Sequence, residues 1–359
     1  MTSPAPLVSI ITPTYNHDLY IGRCLESVLA QTEPRWEQIV IDDGSSDRTA
    51  EIVSQFTDPR IRFISRRHRG IAGLGDAYNL ALRMARGTYI AILEGDDFWP
   101  RHKLERQLPA FEDPEVVLSW GLAAETDPAG NARRVHPERN QLRRHQHKTA
   151  AQTVQLLLEE NCIPACTVLC RTSALLAVGG FHQPAGLPNV DYPTWLQLCR
   201  VGRFAPVNRI LGFYRRHDHQ VSVTMTKEML RNLDVGPAFV EALDIRERKT
   251  LGVSVDAARR IARRITRRSR AEMEFAAGRV ALREGRRRVA TAYFRRAVRK
   301  GGSAIRLRAM VGLASVYLGT DLDAISGVHR RIRIRREANE FAAVEQAEAL
   351  ETLDLRLDH

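Results

Sequence analysis

Short apolar runs and helix-periodic segments alternate over the first hundred residues. The helical segments include a face of Ile21, Cys24, Leu25, Val28 and Leu29, spaced three and four residues apart. Alternation of this kind predicts an α/β fold, with a mostly parallel sheet and helices on both faces. The runs with the length of buried strands are Leu7–Thr12, Trp36–Ile41, Ile61–Ile64 and Tyr89–Leu93.

Acidic side chains directly follow two of these predicted strands. Asp42 and Asp43 follow the second strand, and Glu94–Asp97 follows the fourth. In parallel α/β sheets ligands bind beyond the carboxyl ends of the strands, so both clusters are expected at one edge. Gathered carboxylates repel one another unless they are solvated or hold a cation. The DDGSSD segment alone is typical of a turn, whereas EGDD, followed by Phe98 and Trp99, favours Mg²⁺ or Mn²⁺ shared with substrate phosphates.

Two other groups of residues are weaker candidates for chemistry. Gly70, Gly73 and Gly75 match neither the dinucleotide-binding fingerprint nor a P-loop. Three of the five cysteines recur at every fourth position, but Pro164 lies among them and the close cysteine pairs of zinc sites are missing. We interpret them as packing residues. An odd number of cysteines in a long chain favours a reducing, cytoplasmic setting.

Seven short segments, taken in order along the chain and including the two acidic clusters, resemble the family 2 glycosyltransferases, whose fold is called GT-A. The resemblance covers about residues 7–223, and the order of the motifs makes it more specific than any one of them. The first motif resembles the nucleotide-proximal loop, the second the loop that holds base and ribose, and the fourth the metal motif. The segments are Val8–Asn16, Ile41–Asp47, Asn79 with Ala85–Gly87, Leu93–Asp97, Thr167–Arg171 with Gly179–Phe181, Val190–Leu196 and Tyr214–His217.

The resemblance implies an inverting transfer of sugar from a nucleotide-sugar, expected to be a UDP-sugar, to a hydroxyl of a saccharide or lipid-linked acceptor. Asp191 is the expected general base. Asp97 is the expected direct ligand of Mn²⁺ or Mg²⁺. Asp96 and His217 are expected to contact the metal or the donor, and Glu94 is expected to support these residues without contacting the ion. Without the resemblance, His217 is typical of a surface histidine. The other expected donor-binding residues are Pro13, Tyr15, Asn16, Asp42, Asp43 and Asn79.

Two departures from the family pattern leave alternatives open. Val190 stands where the family often has Glu before the base, and Glu94 opens the metal motif in place of Asp. One alternative is therefore a catalytically impaired protein that acts through its C-terminal region. Another is a sugar nucleotidyltransferase, but Pro13–Asn16 occupies the place where a glycine- and arginine-rich phosphate loop would be expected.

Charge is concentrated in the C-terminal region. Residues 1–245 hold 27 Lys and Arg against 28 Asp and Glu, whereas residues 246–336 hold 26 against 7. The arginines from Arg259 to Arg268 flank a narrow apolar stripe, which fits either an anionic membrane surface or a bundle helix with a solvated face. Nucleic-acid binding is not expected, because interleaved aromatics and a recognised motif are missing.

Small residues in the same region recur with a period of 34 residues. Gly278 and Gly312 form one such pair, and Gly285 and Gly319 another. This spacing resembles degenerate tetratricopeptide repeats over about residues 271–328, followed by an acidic tail at 337–359. We therefore predict a catalytic domain at residues 1–230 and a basic helical region at 231–359.

The start of the chain has no basic segment followed by an apolar run, so no signal peptide is expected. No run approaches the ~20 apolar residues of a membrane-spanning helix. The expected location is cytoplasmic, with peripheral contact at the inner face of a membrane left open. The sequence does not determine the donor sugar, the acceptor or the oligomeric state.

Overall fold

A computed structural model describes residues 5–185, 187–221 and 234–318 of the chain. By their contacts the residues divide into two compact units, Met1–Ala258 and Arg259–His359. The strands are β1 (Val8–Thr14), β2 (Trp36–Asp42), β3 (Ile61–Ser65), β4 (Tyr89–Ile92), β5 (Val116–Thr126), β6 (Ala132–His136), β7 (Leu169–Arg171) and β8 (Arg203–Arg215).

Thirteen α-helices lie within the described residues, and three short 3₁₀ turns accompany them. The helices of the first unit are α1 (Ile21–Leu29), α2 (Thr49–Ser54), α3 (Leu74–Met84), α4 (Lys103–Gln107), α5 (Arg139–Arg144), α6 (Ala150–Glu159), α7 (Thr172–Ala177), α8 (Asp191–Leu198), α9 (Val235–Ala242) and α10 (Ile245–Leu251). The remaining helices are α11 (Val255–Arg283), α12 (Arg287–Lys300) and α13 (Ser303–Leu318).

The strands form one mixed sheet with a parallel half. Strands β3, β2, β1 and β4 lie side by side in that order and run parallel. Strand β7 is antiparallel to β4 and to β5, and β5 also pairs with β6 antiparallel and with β8 parallel. The predicted α/β class and mostly parallel sheet are confirmed. This order brings the carboxyl ends of β1, β2 and β4 to one edge.

The core lies between the sheet and the helices that cover it. The apolar face predicted for α1 is buried at Ile21, Cys24, Leu25 and Val28, and it packs with Val8, Ile10 and Val40 of the sheet. All five cysteines are buried and none forms a disulfide. The cysteines therefore pack in the core, as the sequence suggests.

Strand β1 is longer than predicted. The predicted run ends at Thr12, but Pro13 lies opposite Ile41 within the strand, which continues to Thr14. The proline carbonyl accepts a hydrogen bond from the backbone N–H of Gly95 at 3.1 Å. Because the loop after β4 donates to this carbonyl, the chain stays paired at Pro13 even though proline has no N–H to donate.

The division between the two units by contacts falls after Ala258, and the predicted domain boundary at residue 230 stays a prediction. Helix α9 packs against α8, and α10 packs against α6, so both belong to the first unit. Residue 230 itself lies outside the described residues, and the assignment of separate roles to the two regions stays a prediction. The acidic tail at 337–359 also lies outside the described residues.

In the second unit, small residues allow helices to pack closely. A Cβ atom added at Gly278 or at Gly312 would lie 2.7 Å from the ring of Phe294. These two glycines are one of the pairs spaced 34 residues apart. The buried core around them contains Ala271, Phe275, Ala281, Ala290, Phe294, Ala297, Ile305 and Ala309.

Candidate active site

The loops that follow β1, β2 and β4 are tied together at the carboxyl edge of the sheet. The backbone N–H of Asp43 donates to the carbonyl of Thr14 at 2.9 Å, and that of Leu93 donates to Ile11 at 3.0 Å. Gly95 lies so close to the first loop that an added Cβ would be 2.5 Å from Thr14 Oγ1 and 2.9 Å from His17 Nδ1. The metal motif therefore requires glycine at this position to approach the first loop.

Three carboxylates converge in the loop after β4. Glu94, Asp96 and Asp97 each offer an oxygen, and these oxygens all lie within 4.8 Å of one another. Burial and the charge of Asp96 raise the pKa of Glu94 to about 7, and burial together with Asp96 and Glu94 raises the pKa of Asp97 well above its ordinary value. Crowded carboxylates with raised pKa values gain stability from a divalent cation, so the donor set fits Mg²⁺ or Mn²⁺.

The two aspartates of this motif have different surroundings. Asp97 is 1 % exposed, and its Oδ1 accepts a hydrogen bond from the backbone N–H of Arg215 at 2.9 Å. Asp96 is 8 % exposed, and its Oδ2 lies 3.1 Å from Nε2 of His217 and 4.0 Å from Nε2 of His17. Although burial acts to raise it, the pKa of Asp96 lies below its ordinary value because both histidines favour the charged carboxylate.

His217 is a buried side chain rather than a surface histidine. Its Nε2 faces Asp96, and among the described residues its Nδ1 has no hydrogen-bond partner. The ring packs against Tyr20 at a centroid distance of 4.7 Å, and the Arg215 guanidinium lies 4.6 Å from the same tyrosine ring. A buried imidazole with a free nitrogen beside a carboxylate is suited to hold a cation or a phosphate oxygen.

Glu94 is held from helix α3. The hydroxyl of Tyr78 donates to Glu94 Oε1 at 2.8 Å. This bond orients the Glu94 carboxylate, and its predicted supporting role stays a prediction.

The expected base-binding loops are joined to each other. Tyr15 is 39 % exposed, and its ring stacks on His68 with centroids 4.2 Å apart. The Asn16 side-chain carbonyl accepts from the backbone N–H of Ser46 at 2.8 Å. The stacked pair presents an aromatic surface at this end of the sheet, next to the loop after β2.

Asp42 and Asp43 have protein partners for much of their hydrogen-bonding capacity. Asp42 accepts from the backbone N–H of Ser45 at 3.1 Å and from the hydroxyl of Ser65 at 3.1 Å. Asp43 pairs with the guanidinium of Arg66 at 2.6 Å and also accepts from the backbone N–H of Gly70 at 3.0 Å. Both aspartates therefore shape the loops, and their contact with a donor stays a prediction.

Asn79 braces a turn on the other side of the site. Its amide donates to the carbonyl of Phe181 and its carbonyl accepts from the Phe181 N–H, both at 2.8 Å. Both functional groups of this side chain are engaged with Phe181, so the structure gives Asn79 a bracing position; its predicted contact with the donor is untested. Pro13 lies within β1, next to the last residue of the strand, Thr14, and the loop that carries Tyr15 follows.

Asp191 begins helix α8 and belongs to the same electrostatic environment. Burial raises its pKa, and its charge in turn contributes to the raised pKa of Glu94. The amide of Asn161 donates to Asp191 Oδ2 at 3.2 Å. Val190, in contrast, is 4 % exposed, and its carbonyl accepts from the hydroxyl of Thr194 at 2.6 Å. Valine therefore packs inward here.

Sequence reasoning missed several residues that complete this arrangement. These side chains lie outside the quoted motifs or, in the case of Arg215, inside one without an assigned role. Asn161 and Tyr78 belong to no motif that could have indicated them. His68 lies in the RRHRG segment, in which the sequence analysis considers only Gly70. The residues are His17, Arg66, His68, Tyr78, Asn161 and Arg215.

Comparison with known proteins agrees with this geometry. The family model described as "Glycosyl transferase family 2" matches residues 9–176. The chain is 32 % identical over 229 residues to the putative teichuronic acid biosynthesis glycosyltransferase TuaG of Bacillus subtilis, covering 62 % of this chain and 84 % of TuaG. It is also 32 % identical over 244 residues to the Escherichia coli UDP-Glc:alpha-D-GlcNAc-diphosphoundecaprenol beta-1,3-glucosyltransferase WfgD, covering 66 % of this chain and 87 % of WfgD.

A solved structure shares the fold. Residues 1–349 of S. aureus TarS, in complex with UDP-GlcNAc, match with a TM-score of 0.54 and 15 % identity, covering 87 % of this chain and 92 % of that one. The match to another TarS crystal structure covers only 54 % of that chain. The chain belongs to glycosyltransferase family 2 and has the GT-A fold. Among the described residues no helix is both long and apolar enough to cross a membrane.

Proposed function

We propose that the protein transfers a sugar from a UDP-sugar to a hydroxyl of a saccharide or lipid-linked saccharide, with inversion at the anomeric carbon. The convergence of Glu94, Asp96 and Asp97 beside His217 carries this proposal. Supporting it are the printed names of TuaG and WfgD and the UDP-GlcNAc complex of TarS. These names also favour a role in polysaccharide biosynthesis.

We assign the divalent ion, Mn²⁺ or Mg²⁺, to Asp96 and His217. Asp97, which the family resemblance implies as the direct ligand, is assigned a supporting position beside them. Asp97 is the less accessible of the two aspartates, and one of its oxygens already accepts from Arg215. The ion, when bound, supplies positive charge to the leaving diphosphate. Glu94, fixed by Tyr78, contributes negative charge behind Asp96.

Asp191 is the proposed general base, because its carboxylate lies near the carboxylate cluster and its pKa is raised by burial. A base with a raised pKa accepts the acceptor hydroxyl proton more readily. Asn161 donates to one carboxylate oxygen and thereby orients the group. Direct displacement at the anomeric carbon then requires no covalent sugar–enzyme intermediate.

The donor base is assigned to the stacked surface of Tyr15 and His68, and the ribose to the loops that contain Asn16 and Asp42. Aromatic stacking binds a base without distinguishing the sugar attached to its diphosphate. The identity of the sugar therefore depends on other parts of the pocket.

The helical unit is proposed to contain degenerate tetratricopeptide-like hairpins. The close approach of Gly278 and Gly312 to Phe294 supports this reading. Peripheral contact of the arginine-rich segment with an anionic membrane fits a lipid-linked acceptor and stays a prediction. The second candidate function is a non-catalytic interaction protein, which the buried Val190 favours because it places no carboxylate next to Asp191.

A panel of nucleotide-sugars tests the proposed function. Thermal unfolding is measured with each donor, with Mn²⁺ or Mg²⁺ and with a chelator. A bound donor stabilises the folded protein by mass action, so the cognate donor raises Tm only with the ion. The control variant Glu51→Gln, on the exposed surface of α2, responds like wild type. No shift with any nucleotide-sugar would favour the non-catalytic protein.

A further inference from the structure

A groove in the second unit is lined almost entirely by cationic side chains. It is a shallow cavity of about 310 Å³ between α11 and the end of α12. We call it the basic groove. It is lined by Arg263, Thr266, Arg267, Arg270 and Lys300.

The spacing of the three arginines places them on one helix face. Residues four and seven positions apart are neighbours along an α-helix, so Arg263, Arg267 and Arg270 form a row on α11. Like charges in such a row repel one another and destabilise the helix. An anion in the groove relieves that repulsion.

The part of the chain that the structure describes supplies little negative charge to this row. Among the described residues, Arg263 and Arg270 pair with no carboxylate, whereas the ammonium of Lys300 lies 2.9 Å from Glu274. The Nε of Arg267 donates to the Lys300 carbonyl at 3.2 Å, which ties α11 to the end of α12 and leaves the terminal nitrogens for a ligand. The groove is thus pre-formed, and its positive charge belongs mainly to the arginines.

The segment around the groove is also strongly basic. Residues 259–318 contain 18 Lys and Arg but only 3 Glu and no Asp. Guanidinium groups bind phosphate through paired N–H donors, and a terminal phosphate offers three oxygens where a carboxylate offers two. Three arginine side chains line this one cavity, which favours an anion with the larger number of oxygens.

We propose that the basic groove is a binding site for a phosphate-bearing anion, separate from the donor site. The phosphate belongs either to a lipid head group or to a soluble phosphorylated compound. Nothing in this inference requires transfer activity, because the groove lies within the helical unit.

Calorimetry with inorganic pyrophosphate tests the groove on the full chain. A chelator is present, so that binding through a divalent ion is removed. Wild type binds pyrophosphate, and added salt weakens the binding because the contacts are electrostatic. The variant with Arg263, Arg267 and Arg270 changed to Gln binds about tenfold more weakly, or not at all.

A matched variant separates the groove from total charge. Changing the exposed Arg283, Arg287 and Arg288 to Gln removes the same charge at the opposite ends of the two helices and leaves affinity within about twofold, because distant exposed charges are screened. Circular dichroism of both variants shows whether the helices remain folded. The proposal is overturned if wild type does not bind at low salt, or if the folded variants lose affinity equally or not at all.

Vesicles identify the source of the phosphate. Co-sedimentation uses phosphatidylcholine vesicles with and without phosphatidic acid, whose head group is a phosphate monoester. Binding to phosphatidic acid that is lost only in the groove variant supports the site with a lipid head group as ligand. Pyrophosphate binding without vesicle binding supports it with a soluble phosphate.

Discussion

Nε2 of His217 lies 3.1 Å from Oδ2 of Asp96, although the two residues are separated by 121 positions in the chain. Asp96 follows β4, and His217 follows β8. The mixed sheet, together with the bridge between Phe98 and Phe213, brings these two strand ends to the same place. The pair joins the proposed metal motif to a residue that the local sequence presents as a surface histidine.

We expect Asp96→Asn to weaken donor binding that depends on Mn²⁺ by at least about tenfold, because one charged oxygen ligand is lost. Asp97→Asn keeps an acceptor for the Arg215 N–H, so this variant is expected to weaken Mn²⁺-dependent donor binding less than Asp96→Asn does. Asp97→Ala, which removes that acceptor and the charge, is expected to abolish transfer. Calorimetry with and without Mn²⁺ makes the comparison. If Asp97→Asn is the more damaging change, the direct ligand is Asp97, as the sequence resemblance implies.

Asp191→Asn is expected to lower turnover by ~10²–10⁴-fold while donor affinity changes little, because the amide cannot accept the hydroxyl proton. The measurement is steady-state transfer with a cognate donor, together with calorimetry of donor binding. Glu51→Gln serves again as the control. Normal turnover in the variant would place the base elsewhere.

Asn161→Ala is expected to move the acidic limb of the pH–rate profile to higher pH. The amide of Asn161 stabilises the charged form of Asp191, so its removal raises the pKa of this carboxyl further. A base with a higher pKa is protonated at higher pH, and activity is lost there as pH falls. Gln155→Ala, on the exposed side of α6, leaves the profile unchanged. A uniform loss of turnover without a shift in pH would limit Asn161 to a structural role.

Lys103 predicts a pH dependence of stability that is unrelated to catalysis. Its ammonium is fully buried, 4.1 Å from the Trp99 ring, and burial lowers its pKa to about 7. The unfolded chain binds this proton up to about pH 10, as free lysine does, so unfolding takes up a proton between these values. The free energy of unfolding therefore rises with pH from about 7 towards 10.

Lys103→Met retains a similar length without the titrating group. The contribution of Lys103 to the slope of stability against pH disappears in this variant, as chemical denaturation at several pH values shows. Identical slopes in wild type and variant would mean that Lys103 keeps its ordinary pKa in the folded protein.

Gly312→Ala tests the close packing in the helical unit. The added Cβ would lie 2.7 Å from Phe294, so overpacking is expected to destabilise the unit by about 1–3 kcal/mol. Gly302→Ala is the control, because no atom lies within 4 Å of its added Cβ. Thermal unfolding followed by circular dichroism compares them. Equal stability of the two variants would show that the helices do not approach one another at Phe294.

Local sequence was sufficient for the first four strands, for helix α1 and for the acidic edge of the sheet. Short continuous apolar runs suit buried strands, and apolar residues spaced three and four apart suit one face of a helix. These elements therefore follow directly from the pattern. The turn at Asp127–Asn131, rich in the Asp, Pro, Gly and Asn residues that are typical of turns, joins β5 to β6. The family could also be recognised, because its motifs are short segments that follow one another in order.

Tertiary structure decided what each polar residue of the site contacts. Asp96 and Asp97 are adjacent and chemically identical, yet one faces two histidines and the other accepts from the backbone of β8. Asn79 pairs with Phe181 across 102 positions of the chain, a partner that its local sequence does not indicate. A local pattern records how often apolar side chains recur, and it determines which face of an element is buried. It does not record which distant strand ends meet, because hydrogen bonds between side chains depend on positions set by the whole sheet.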